Sequence, residues 1–138
     1  MLEQLQAMPS QQFEQLIAQV VEKLGYTATA MHSTLDGGVE VEAVRPYGMP
    51  NQRALITVRR YSGTLRVGAV QDLVDKRAAH PGTTDAMLIT TGKIAQPARD
   101  LADSEGIGLL DGEQLAGILR RFDIYKGSEP TGPPGTQR

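Results

Sequence analysis

Glu40 and Glu42 stand two residues apart in the run VEVEAV, and Thr57 and Arg59 stand two apart in LITVRRY. Side chains at i and i+2 of a strand share a face. The small apolar residues Val39, Val41 and Ala43 alternate with the glutamates, and Ala54, Ile56 and Val58 alternate with Leu55, Thr57 and Arg59. If both runs are strands of one hairpin with these apolar sets turned to one core, the four polar residues share the opposite surface. Two carboxylates, a hydroxyl and a guanidinium on one surface suit metal-assisted phosphodiester hydrolysis, which needs acids for a hard cation and a positive group near the phosphate. The same surface without a metal would bind phosphate only.

Other chemistries lack their residues. There is no cysteine, which removes disulfides, thiolate metal sites and cysteine nucleophiles. Neither a phosphate-binding glycine loop with Walker spacing nor a nucleophile elbow is present. His32 and His80 stand apart from one another, without zinc-site spacing, and read as surface or turn residues. The formal charge of -2 over 138 residues neither demands nor excludes a nucleic-acid partner. Its distribution says more: from Ala43 to Gln71 there is no acid, while Arg45, Arg53, Arg59, Arg60 and Arg66 all fall inside. That stretch is either a solvated basic face or a surface that meets phosphates. No apolar run reaches the roughly 18 residues of a membrane span, and no leader is visible, so a soluble cytoplasmic protein without a membrane partner is expected.

The elements that must position the polar set follow from periodicity. A short helix over Met1–Met8 is expected, then a longer one opened by Pro9-Ser10, with Ser10 as N-cap. Phe13, Leu16, Ile17, Val20, Val21 and Leu24 form its apolar stripe and Gly25 ends it. Glu14 lies beside the stripe and is ordinarily a solvated acid. Tyr26–His32 reads as a strand, Ser33–Gly38 as a turn, and the hairpin follows, broken by Pro46, Gly48 and Pro50. A helix over Val67–Ala79, a buried strand over Ala86–Thr90, a helix over Gln96–Glu105 and a strand over Ile107–Leu110 come next. Asp111 with Gln114 sets up a capping box for a last helix that buries Leu115, Ile118, Leu119 and Phe122. The expected fold is α/β in the order α-β-β-β-α-β-α-β-α: an antiparallel meander extended by parallel strands, with helices on both faces. Residues 1–126 read as one domain, and 127–138, which lack any large apolar residue, as a disordered polar tail.

The run DGGVEVEAV…LITVRRY, followed by MLITTGKIAQPARDLADSEGIGLLDGEQL and preceded by PSQQFEQLIAQVVEKLGY, resembles the Mrr-like restriction endonuclease domain of the PD-(D/E)xK nuclease superfamily. The resemblance spans roughly residues 9 to 120. It implies a restriction-endonuclease-like core, DNA as substrate class, a role in DNA restriction, and Mg²⁺ as cofactor. Relatives read DGGVD or DGGID, with the last Asp on the metal; Glu40 stands there in this chain. They close the third strand with Gln-Ala-Lys-Arg-Tyr; Thr57 takes the place of the glutamine and Arg59 that of the lysine. All three motif positions, Glu40, Thr57 and Arg59, are thus altered.

Glu40 keeps the charge but reaches one bond further, and Mg²⁺ tolerates little distortion. Thr57 offers only a hydrogen bond. Arg59 cannot lose its proton but grips phosphate with two parallel bonds. The leading expectation is a DNA-binding domain with weak or no cleavage, Glu40 being the residue that would hold any remaining Mg²⁺. One alternative is an active Mg²⁺-dependent endonuclease using Glu40 with Glu42, or with Glu14, since some superfamily members use an acid from the first helix. The other is a pseudo-nuclease serving as a protein-interaction module. Asp36 is read as the cap of its turn. Arg59, Arg60 and Lys93 are the candidate DNA contacts; of the two arginines, alternation sends only one to the surface carrying Glu40, and Arg59 is the choice. Backbone amides near the helix start after Lys93 would assist it, and the ordinary alternative is a solvated loop lysine. A homodimer is left open.

Overall fold

The computed structural model describes residues 1–45 and 53–125, so the loop of the central hairpin and the polar tail lie outside the described residues. A short helix, α1 (Leu2–Ala7), and a longer one, α2 (Ser10–Lys23), lead into β1 (Thr27–Ser33), β2 (Val39–Val44) and β3 (Arg53–Arg59). These are followed by β4 (Thr64–Leu65), α3 (Val67–Ala78), β5 (Thr83–Thr90), β6 (Lys93–Ile94), α4 (Gln96–Glu105), β7 (Gly108–Leu110) and α5 (Gly112–Arg121). The main sheet has the order β1-β2-β3-β5-β7. Its first three strands are antiparallel neighbours, and β5 and β7 extend it in parallel. A mixed sheet between helices is the architecture expected from the alternation of periods.

Hairpin alternation decides which core each residue joins. Val39, Val41, Ala43, Ala54, Ile56 and Val58 all face a core closed by Leu5, by Phe13, Ile17, Val20 and Val21 of α2, and by Leu115 and Leu119 of α5. Burying each large side chain completely is worth roughly 1.5–3 kcal/mol, so this layer holds the hairpin's register. On the other face Leu55, Ala86 and Leu88 pack with Val70 and Leu73 of α3 and with Ala98 and Ala102 of α4. The polar face of the hairpin is therefore covered at one end, and only the β1–β2 side and the Thr57–Arg59 end remain open.

Several local expectations are met by hydrogen bonds and several are shifted. Gly25, with φ +96°, closes α2; its N–H donates to Glu22 O and that of Tyr26 to Val21 O, a paired left-handed cap. The capping box of α5 is complete, with Gln114 N–H on Asp111 Oδ1 and Asp111 N–H on Gln114 Oε1, each at 2.9 Å. Ser10, expected as the cap of α2, is its first helical residue instead, because Pro9 O already accepts from Phe13 N–H. Phe122 leaves the α5 stripe: it stands at the helix end, exposed, under the cations of Lys23 and Arg121. The pair β4 and β6 was not expected, since two-residue strands carry no period.

Candidate nucleic-acid interface

Chain order places α3 over the outer face of the hairpin. The helix leaves the end of β3 and returns toward the start of β5, which is parallel to β3, so it runs back along the strand it has just left. Its polar residues meet the hairpin in that sequence. Asp72 Oδ2 lies 4.0 Å from Arg59 Nη2, and one turn later Lys76 Nζ contacts Glu40 Oε2. The next turn, with Ala79 and His80, faces Glu42, Leu55 and Arg53. Between helix and hairpin lies a cleft of about 370 Å³ lined by Thr34, Asp36, Glu40, Thr57, Arg59 and Lys76.

Glu40 and Thr57 are direct cross-strand partners in this cleft, and Arg59 follows on the same face two residues on. The three motif positions are brought together as expected. Two neighbours were missed. Lys76 belongs to a helix whose motif carries no signal, although it stands three residues after buried Leu73 and so on the flank turned to the sheet. His32 pairs with Glu40 across β1 and β2, and its Nε2 lies 3.5 Å from Glu40 Oε1. Period-two reading of β1 against β2 was enough to place it there.

Asp36 caps its turn and also lines the cleft. Its carboxylate accepts from Thr34 Oγ1 and, at 3.3 Å, from Gly38 N–H. The Thr34 hydrogen bond chiefly, opposed by partial desolvation and helped by Gly38 and the charge of Arg59, holds its carboxyl below the ordinary value of 3.8. A depressed folded value contributes stability that is present above the unfolded value and is lost as pH falls through the folded one. Asp36→Asn is therefore expected to reduce the acid-induced fall in melting temperature below about pH 4, read from melts at a series of pH values. An acid limb identical to that of the parent protein would refute the role of this carboxylate.

Four other candidates are placed away from the Glu40 cleft. Glu42 shares the face but lines the adjacent depression of about 330 Å³ with Arg53 and His80. Glu14 accepts from Ser33 Oγ; Ser33 pairs with Val39, whose side chain faces the α2 core, so this carboxylate lies on the other side of the sheet from Glu40. Arg60, expected as a DNA contact, is placed as an internal tie. Its Nε donates to Gly37 O at 2.6 Å and its Nη1 to Leu5 O at 2.9 Å, to Gln6 O and to Met8 O, and its plane lies 4.5 Å from the Phe13 ring centre. Lys93 lies outside the Glu40 cleft, exposed in a separate hollow with Leu2, Glu3, Arg99 and Glu113.

The Mrr_cat restriction endonuclease family model matches residues 5–119. The chain belongs to this family. The Mrr-type fold is also shared with solved structures of low sequence identity. The DNA modification-dependent restriction endonuclease AspBHI aligns with a TM-score of 0.60 at 15% identity, over 88% of this chain and 35% of that one. EndoMS in its apo form gives 0.51 at 16% identity, over 71% and 45%, and the protein of unknown function AF1548 gives 0.53 at 14% identity, over 74% and 62%. The Mrr-type chain thus spans between about a third and two thirds of the length of these proteins. No curated protein sequence matches it.

Restriction endonucleases generally act with Mg²⁺, which takes oxygen ligands in near-octahedral geometry. The donors of the Mrr-type cleft do not fit that ion. Among the described residues no three acidic, histidine or cysteine side chains come together as a metal set. Glu40 has neighbours at both oxygens, the Lys76 ammonium on Oε2 and the His32 imidazole near Oε1. Its strand partner contributes the neutral Thr57 Oγ1, buried and without a hydrogen-bond partner. Asp36 is engaged with its own turn.

Proposed function

We propose that this Mrr-type domain binds DNA by its sugar-phosphate backbone in the cleft between the hairpin and α3, and cleaves it poorly or not at all. The observation that carries this reading is the carboxylate at the motif position, Glu40, already paired with the Lys76 ammonium, beside the open guanidinium of Arg59. Arg59 is 38% exposed and its ion pair with Asp72, itself 72% exposed, is a loose 4.0 Å, so a phosphate can take the place of that carboxylate. An arginine fork matches two phosphate oxygens, and it cannot release a proton to activate water. The family membership and the names of the neighbouring structures support DNA as the partner.

Affinity for a labelled duplex should fall with salt, because each phosphate contact releases counterions. Arg59→Ala is expected to weaken binding about tenfold at low salt and to reduce the slope of log affinity against log salt by about 1. Binding without salt dependence, or no binding, would defeat the DNA reading. A plasmid-nicking assay with Mg²⁺ or Mn²⁺ tests the second half of the proposal. Nicking by the parent protein that disappears in Glu40→Ala would make the domain an active endonuclease.

A further inference from the structure

We propose that the ammonium of Lys76 is a built-in cation that takes the place of a divalent metal beside Glu40, so that the cleft holds a phosphodiester without metal. The proposal rests on the DNA-binding reading for its ligand, but its first half concerns Lys76 and Glu40 alone. Lys76 comes from the last turn of α3, where a cation is also favoured by the helix carbonyls. Leu73, three residues before it, is 2% exposed and anchors that face of the helix on the sheet. The lysine stem therefore crosses the cleft along the sheet and delivers its charge to Glu40 Oε2, while His32 stands at Oε1.

A hard cation must approach a carboxylate oxygen to about 2.0–2.1 Å and be surrounded by further oxygens. At Glu40 the approach on one side is filled by an ammonium, and the only other donor in the strand pair is an uncharged hydroxyl. An incoming Mg²⁺ would have to expel Lys76 and would still need the Asp36 carboxylate, which is engaged with its own turn, to balance its second charge. A phosphate oxygen needs no such exchange: it meets Lys76 and Arg59, two cations lining one cleft, with Glu40 holding the lysine in place between binding events.

The test begins without DNA. Mn²⁺ titrated into the parent protein and followed by electron paramagnetic resonance is expected to remain free. Lys76→Met, which keeps the stem and removes the charge, is expected to bind Mn²⁺, and adding Glu40→Gln should abolish that binding. Lys76→Arg, which restores a cation, should again bind none. Parent protein that takes up Mn²⁺ through Glu40, or Lys76→Met that takes up none while still folded by circular dichroism, would overturn the proposal. Duplex affinity is then measured in chelator and in Mg²⁺ at matched ionic strength. Equal affinities are expected for the parent protein, and about a tenfold loss for Lys76→Met in chelator. Duplex binding that requires Mg²⁺ would overturn this inference while leaving the DNA reading intact, whereas absence of duplex binding under either condition would defeat that reading and leave the Mn²⁺ result to decide the role of Lys76.

Discussion

Arg60→Ala is expected to lower the unfolding free energy by about 3 kcal/mol, because one guanidinium serves carbonyls from two distant segments and hydrogen bonds from a charged donor are each worth about 1.5–3 kcal/mol. Its Nε holds Gly37 O in the turn before β2, and its Nη1 holds Leu5 O, Gln6 O and Met8 O at the end of α1. Removing the side chain also uncovers Phe13, which is fully buried beneath it. The individual terms overlap, since all the bonds share one group, so the total stays well below their sum. Lysine should not rescue the loss, as it cannot present the fork that reaches both segments at once. Urea denaturation of the alanine and lysine variants measures this directly. An alanine variant of parental stability that has lost duplex binding would return Arg60 to the role of a phosphate contact, which its sequence neighbourhood had suggested. Burial also lowers the Arg60 pKa from its ordinary value, through desolvation, as expected for a charge enclosed by carbonyls rather than by acids.

Gly38→Ala is expected to cost a comparable amount, about 3 kcal/mol, the upper part of the range for forced overpacking. A Cβ on residue 38 would stand 2.3 Å from Val58 O and 3.2 Å from Thr34 Oγ1. The first of these is backbone in the centre of the sheet, where Val58 is paired with Val39 and both side chains are buried. Relief therefore requires the start of β2 to move away from β3, which pulls Glu40 from Thr57 as well. Gly37 is needed for a different reason, since its φ of +87° is strained for any residue with a Cβ. Alanine there is expected to cost only about 1–2 kcal/mol. Thermal and urea melts of the two variants separate the cases, and a Gly38→Ala protein as stable as Gly37→Ala would contradict the close approach. The DGG run thus combines an acid that caps the turn, a glycine for backbone sign and a glycine for space.

Much of this was legible in the chain before any tertiary contact was known. The stripe of Phe13, Ile17, Val20 and Val21 is buried as its spacing requires, and α4 occupies the expected Gln96–Glu105. The capping box at Asp111 and Gln114 is local in origin, so sequence was enough to find it. The convergence of Glu40, Thr57 and Arg59 follows from a period of two and a paired register, which the hydrophobic sets on the other face impose. β5 starts at Thr83 rather than Ala86, because hydrogen bonding to β3 carries the strand past its apolar run into a polar segment.

What could not be read were the partners of the long charged side chains. Arg59 and Arg60 are adjacent and identical in type, yet one lines an open cleft and the other ties α1, more than fifty residues before it in the chain, to the turn before β2. Lys76 and Glu40 are 36 positions apart and meet only because α3 folds back across the strands. Glu14 sits on the neighbouring helix but is turned to the opposite side of the sheet. Sequence alone determined the elements, the face that each strand residue takes and the one-carboxylate character of the motif, because those depend on backbone period and residue type. Only the tertiary structure decided which cation neutralises that carboxylate and which of the two adjacent arginines lines the cleft, because charge pairing depends on distances between segments that no local pattern encodes.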